Sequence, residues 1–294
     1  MTLSALSVQT PAKINPVLEV LGRRPDGYHE LALVFQTVGL YDEISFYEIS
    51  EGVRLVIHPS PVHLEVDDSN LIVKAAKLFL KDVLKGRGGV RIELKKRIPL
   101  AAGLGGGSSD AAATLKGLDW FFESQVKEEQ LQAMAGQLGS DVPFFLTGGA
   151  ALGTGRGDKI TTWLDGFEMP VILVKPPEGL STPDVYRSGK ALITPGEKSR
   201  AFQGILREKN LQKIAESLFN GLEPAALFLM PEIGEIKKKL LEAGALGTLV
   251  SGSGPTVFAV AQNQEKAEQI ACKLEGEGWT VFVTRTITTG VERI

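Results

Sequence analysis

The stretch that most limits how this chain can fold is Pro99 to Leu115, PLAAGLGGGSSDAAATL. Four glycines, Gly103, Gly105, Gly106 and Gly107, part a strand-like run ending at Ile98 from an alanine-rich helical one. Glycine has no Cβ and tolerates positive φ, so such a backbone can curl tightly and come close to a ligand. Ser108, Ser109 and Asp110 are residue types that open helices, and they predict a helix from Ser108 to about Phe122. The first N–H groups of a helix have no intrahelical partner and carry the positive end of its dipole. A glycine turn feeding that end therefore suits an anion, phosphate above all. An ordinary turn would also be glycine-rich. The two hydroxyls and the small approach through Ala101 and Ala102 favour the anion site. No Gly-Lys-Ser/Thr follows, so this is not a Walker A loop. A dinucleotide fingerprint fits only with serine at its last glycine, and no acidic residue ends a second strand about 20 residues on.

A chain of 294 residues holds one large or two modest domains. Its 43% hydrophobic and 23% charged residues are ordinary for a soluble globular protein. The net charge of −3 argues against a nucleic-acid binder, which would be basic. One cysteine, Cys272, forbids an internal disulfide framework and fits a reducing cytoplasm; on a helix it reads as a small buried hydrophobe. The N-terminus lacks a basic region followed by an apolar core, and no run approaches the ~20 apolar residues that span a bilayer. These features predict a cytoplasmic protein with no membrane partner. His58 and His63 stand five apart in a proline-broken loop, which is no familiar metal-ligand spacing, and both read as surface residues.

Along the chain, residues 5–22 predict one or two strands with a proline break. Lys13 and Asn15, two apart, share a face there. By itself Lys13 reads as solvent-exposed. A turn-rich loop through Pro25, Asp26 and Gly27 leads Tyr28 and His29 into a strand over Leu31–Leu40. Strands follow over Glu43–Ile49 and Val53–Ile57, then a helix over Asn70–Leu84 and a strand over Val90–Ile98. Lys96, at that strand's end, is either an ordinary charged residue or a nucleotide contact. A helix over Glu128–Leu138 precedes Gly-Ser-Asp141-Val-Pro143, where Asp141 reads as a helix cap. The string G-G-A-A-L-G-T-G-R-G-D reads as a strand between turns. Met169–Lys175 is a buried strand. Thr182 reads as the cap of a helix carrying Tyr186, and residues 190–230 as largely helical. Pro231–Ala243 is an amphipathic helix, S-G-S-G-P a second glycine turn, Ala267–Leu274 a helix and Thr280–Thr286 a closing strand.

Pro99 to Gly106 follow the opening of P-x-x-x-G-L-G-S/G-S-S, with its two serines one position later at Ser108 and Ser109, and on that string the chain resembles the GHMP kinases (galactokinase, homoserine, mevalonate and phosphomevalonate kinases). The P-A-K-I-N string at Lys13 and the late S-G-S-G-P turn stand in the order that family has them. The resemblance runs over essentially the whole chain, most weakly at 190–220. It implies an α+β, two-domain fold. An N-terminal ribosomal-protein-S5-like domain would cover residues 1–160 and a C-terminal α/β domain 161–294, the last strand packing near the interface and the active site in the cleft. ATP would bind at Pro99, Leu100, Ala101, Ala102, Gly103, Leu104, Gly105, Gly106, Gly107, Ser108 and Ser109, with Lys96. Lys13 and Asp141 would be catalytic, Asp141 either taking the acceptor's proton or orienting its hydroxyl.

Within that family, G-Y-H-x-L and an aromatic at 186 resemble the branch whose acceptor is a cytidine-diphosphate-linked sugar alcohol of non-mevalonate isoprenoid synthesis. The resemblance implies substrate contacts at Asn15, Tyr28, His29, Thr182 and Tyr186, since an aromatic face gives a pyrimidine a place to stack. Mg2+ is expected with ATP. Ser108 or Ser109 could touch it, and no carboxylate is marked out as its ligand. Two other functions keep the glycine loop: a homoserine- or mevalonate-type kinase, which has no use for the aromatics, and a non-catalytic nucleotide sensor, which has none for Asp141.

Overall fold

The structure, a computed structural model, describes residues 5–59 and 64–294. Alternating apolar residues over the first fifty positions make two long strands, β1 (Ala5–Arg23) and β2 (His29–Ile49). They pair antiparallel from Ala5 opposite Tyr47 to Arg23 opposite His29. The expected proline break in β1 is instead a set of register shifts at Pro11/Ala12, Ile14/Val17 and Val20/Gly22, where bulges absorb the irregularity and keep one strand. The two strands expected in residues 31–49 are likewise one. Then come β3 (Gly52–His58), α1 (Leu71–Asp82), β4 (Gly89–Lys95), α2 (Gly106–Phe121), α3 (Glu128–Leu138), α4 (Val142–Thr147), β5 (Ala150–Gly155) and β6 (Lys159–Leu164).

On its far edge β2 is shared. Leu31–Gln36 pair with β5, and Glu43–Ile49 pair with β4, which also takes β3 in parallel. The glycine stretch leaves β4 at this fork. Phe35, Phe46, Phe79, Phe144 and Phe145 pack the sheet against the helices that follow it.

Next come β7 (Pro170–Lys175), α5 (Thr182–Arg187), α6 (Glu197–Arg207), α7 (Leu211–Glu216), β8 (Phe219–Asn220), α8 (Glu223–Leu229), α9 (Glu232–Ala243), β9 (Gly247–Val250), β10 (Val257–Val260), α10 (Gln264–Cys272), β11 (Thr280–Arg285) and β12 (Glu292–Arg293). A second sheet has the order β11-β7-β10-β9. Ile233, Ile236 and Leu240 of α9 and Ile270 of α10 cover it. Ala12, Ile14, Val34, Leu173, Phe202 and Phe258 fill the space between the sheets. A boundary at residue 160 would cut β6 from its partner β5, and the change of sheet falls between Leu164 and Pro170. The later half is not confined to the second sheet either, because β8 and β12 both pair with β1.

Three local expectations are corrected. The helix after the glycines starts at Gly106, capped by Gly105 in the left-handed region at φ 71°, so neither serine is the cap. Ser181, not Thr182, stands at the cap position of α5, without a side-chain bond to the helix backbone. Cys272 is exposed rather than buried, on the outer side of α10. His58 is exposed; His63 lies outside the described residues.

Candidate active site

One cavity of about 1240 Å³ receives the glycine loop, the β1 lysine and the aromatics of the first turn. The loop is shaped by close approach. A Cβ on Gly103, at φ 73°, would fall 2.2 Å from the Ser251 carbonyl oxygen, and one on Gly105 2.8 Å from the Phe145 ring. Only glycine fits both places. Ser251 Oγ donates to the Gly103 carbonyl at 3.0 Å, so the second glycine turn holds the first. The first intrahelical bond of α2 is Ser109 N to Gly105 O, 2.9 Å. The N–H groups of Gly106, Gly107 and Ser108 precede it, at the positive end of a sixteen-residue helix that borders the cavity.

Ser109 departs from expectation. It is fully buried, its Oγ donates to Pro11 O at 2.6 Å and lies 2.6 Å from Thr10 Oγ1. Its hydroxyl ties α2 to β1 and does not reach the cavity. Lys96 borders the cavity, but its ammonium is held by Asp42 Oδ2 at 2.5 Å and Asp110 Oδ2 at 2.6 Å. A free cation facing nucleotide is not what that strand end offers.

Lys13 is 5% exposed, against the solvent-facing lysine that its strand position alone suggests. Its backbone N–H donates to Leu104 O at 3.0 Å, and its ammonium to Asn15 Oδ1 at 2.6 Å. Asn15, fully buried, gives its own amide to Val34 O. Burial lowers the Lys13 ammonium from its ordinary value, and the Asp141 charge opposes that. Asp141 occupies the cap position of α4 without capping it, for its carboxylate makes no bond to the helix. Instead Asp141 Oδ2 stands 3.7 Å from Lys13 Nζ, an ion pair wider than a hydrogen bond, and the side chain keeps 31% of its surface. A carboxylate left uncapped, half open and beside a buried ammonium is available to a ligand.

At the other end, Tyr28 is 58% exposed. His29 and Tyr186 stack at 4.8 Å with 25° between their planes. Burial, then the Asp141 charge, holds the Tyr186 hydroxyl above the usual tyrosine range. Burial and Arg23 lower the His29 imidazole. Thr182 Oγ1 lies 2.7 Å from Ser253 Oγ, joining α5 to the second glycine turn. The cavity thus gathers every residue proposed from sequence except Ser109. Sequence reasoning missed Arg23, Ser140, Arg156 and Gly157 on its walls, while Gly252 and Ser253 come from the S-G-S-G-P turn that the family resemblance puts beside the loop. Of the missed residues, Arg156 carried a signal, an arginine set between glycines in G-T-G-R-G-D.

Family models described as GHMP kinases N terminal domain and GHMP kinases C terminal match residues 70–149 and 202–279. A 4-diphosphocytidyl-2-C-methyl-D-erythritol kinase of Pelotomaculum thermopropionicum is 43% identical over 292 residues, 97% of this chain and 98% of that one. A protein of the same name from Exiguobacterium sibiricum is 40% identical over 280 residues, 95% and 97% of the two chains. The crystal structure of a 4-(cytidine 5'-diphospho)-2C-methyl-D-erythritol kinase superposes with a TM-score of 0.79 at 33% identity, covering 96% of this chain and 99% of that one. A homoserine kinase from Cytophaga hutchinsonii superposes at 0.80 with 22% identity, covering 100% and 98%, a likeness of fold.

Proposed function

The chain belongs to the GHMP kinases and has their two-domain α+β fold, and from that premise we propose which reaction it performs. It transfers the γ-phosphoryl group of ATP to the 2-hydroxyl of 4-diphosphocytidyl-2-C-methyl-D-erythritol, giving the 2-phosphate and ADP, a step of non-mevalonate isoprenoid synthesis. One observation carries this: a helix-end phosphate loop, an uncapped Asp141 beside buried Lys13, and an aromatic shelf all open into the same cavity.

Phosphoryl transfer asks for alignment and charge neutralisation more than for covalent help. The N–H groups of Gly106 to Ser108 receive the phosphate oxygens. Asn15 holds Lys13 against the accepting hydroxyl. The hydroxyl oxygen bonds to the γ-phosphorus as the bond to the β-γ bridging oxygen breaks, and Asp141 takes the hydroxyl proton. Lys96 supports the loop from beneath rather than meeting the nucleotide. Tyr28, His29 and Tyr186 receive the cytosine, with Thr182 beside them. Among the described residues no three of His, Cys, Asp or Glu gather to hold a metal unaided. A Mg2+ ion accompanying ATP would supply shielding of the phosphate charge, and Ser108 and Asp141 on the cavity wall would offer it oxygen donors.

A homoserine or mevalonate acceptor carries no base and leaves the aromatics without a purpose. A nucleotide sensor leaves the Lys13–Asp141 pair without one. The test is ADP release from Mg-ATP with the cytidine-bearing acceptor, the free sugar alcohol, mevalonate and homoserine. Turnover with the first alone is expected. Turnover with another acceptor instead would discard the cytosine assignment, and ATP binding without turnover on any would make the protein a sensor.

A further inference from the structure

Arg156 sits in the turn between β5 and β6, within Gly153-Thr-Gly-Arg-Gly-Asp158. That turn reaches both ends of the acceptor side of the cavity. A Cβ on Gly157 would lie 4.0 Å from Asp141 Oδ1, so the turn runs alongside the reactive pair. One residue earlier, Arg156 Cζ is 4.9 Å from the centroid of the Tyr28 ring, on the aromatic shelf. An acceptor with its base on the shelf and its hydroxyl at Asp141 has to lay whatever joins them across this turn.

Of the other cations that line the cavity, three are paired, and the fourth, Arg23, stands at the β1 end of the shelf beside His29. Lys13 is held by Asn15 and Asp141, and Lys96 by two carboxylates. Arg187 pairs with Asp184. Arg23 ends β1 opposite His29. Arg156 makes one side-chain hydrogen bond among the described residues, Nη2 to Asp158 Oδ2 at 3.4 Å, the long end of the range. Asp26 is near enough to feel its charge. A guanidinium has five donors in a planar fork, so most of those on Arg156 remain for a ligand, and the fork fits phosphoryl oxygens two at a time. Asp158 also accepts the Arg156 backbone N–H at 3.0 Å, which sets the turn and aims the side chain before any anion arrives.

Resting on the reaction proposed above, we propose that Arg156 is the specificity-determining cation of the acceptor site, gripping the diphosphate that links the base to the sugar alcohol. The face of Tyr28 keeps the guanidinium over the shelf, so base and diphosphate are read together. A nucleoside without phosphates would keep the stacking and lose this grip.

The test compares cytidine and cytidine diphosphate as competitors of the acceptor, in wild type, Arg156→Ala, Arg156→Gln and Arg156→Lys. Gln keeps the length of the stem if Ala disturbs folding, and thermal melting checks both. Wild type should prefer the diphosphate. Loss of the guanidinium should weaken the diphosphate by about 10- to 100-fold, the scale of a charge-assisted hydrogen bond or two, and leave cytidine within about 2-fold. KM for ATP should stay within about 2-fold, and Lys should recover part of the loss. If Ala and Gln weaken cytidine and the diphosphate alike, Arg156 only props up the shelf and the proposal fails. If the preference for the diphosphate survives in them, the grip lies elsewhere and the proposal fails while the reaction stands. If wild type is inhibited by neither compound and turns over no cytidine-bearing acceptor, the reaction itself is wrong and Arg156 falls with it.

Discussion

Asp141 shows why residue identity alone leaves a role undecided. Asp before Val-Pro is a common helix opening, and α4 does begin just after it. Yet the helix takes no bond from the carboxylate, which faces Lys13 instead. Asp141→Asn should therefore leave the melting temperature close to wild type while lowering kcat by about 10²- to 10⁴-fold, the usual worth of a positioned proton acceptor. Near-normal turnover in that variant would remove Asp141 from the chemistry. Lys13 was visible only through its resemblance, because strand position predicts exposure. What buries it is the glycine loop folded over β1, bonded through Lys13 N to Leu104 O. Ser109 is the reverse case. Its neighbour Ser108 stays at the cavity, while one step of helix, about 100°, carries Ser109 to Pro11 and Thr10.

At the scale of elements, a buried cluster locks the loop in place. Asp42 of β2 accepts the N–H groups of Arg97 at 2.6 Å and Ile98 at 2.9 Å, just before the glycines. Lys96 bridges it to Asp110 of α2. Burial works against the Lys96 charge, and the two carboxylates outweigh it and raise the ammonium. Burial, with Asp42 adding to it, pushes the Asp110 carboxyl up from 3.8 to about 7, and Asp110 Oδ1 has no hydrogen-bond partner among the described residues. The folded chain thus holds a proton between those two values that the unfolded chain has released, so this group's stabilisation declines as pH rises through that window. Denaturant unfolding of Asp110→Asn should show a flatter pH dependence than wild type from pH 4 to 7. An unchanged slope would place its origin in another group. Lys96→Met leaves two buried carboxylates unmatched and should cost about 3–5 kcal/mol. None of this cluster was legible locally, since its members come from residues 42, 96 and 110.

At the scale of the molecule, the chain's end braces the beginning of the site. Gln36 Nε2 and Thr37 Oγ1 both donate to Ile287 O, and Thr37 Oγ1 also lies within bonding distance of Thr289 O. Gly290 packs against Gly148, directly after α4, where a Cβ on Gly148 would be 2.3 Å away. Removing residues 287–294 should cost about 3 kcal/mol from two buried side chains, Ile287 and Val291, and weaken catalysis by loosening the helix behind Asp141. A truncated chain that unfolds at the wild-type denaturant midpoint with wild-type kcat would refute the brace.

The sequence by itself determined what period and local sterics control. The α1, α3, α9 and sheet-two strand positions follow from apolar spacing, and the glycine turn before a helix is legible from its letters. The family follows from short strings kept in order. Tertiary structure alone decided what depends on contacts between distant residues. It kept residues 5–23 one strand across the proline through bulges, joined the two strands expected in residues 31–49, and returned β8 and β12 to β1. It turned Ser109 inward, gave Lys96 two carboxylates and brought Arg156 onto Tyr28. Periodicity fixes which face of an element is apolar, but not which residue from a hundred positions away will meet the polar one.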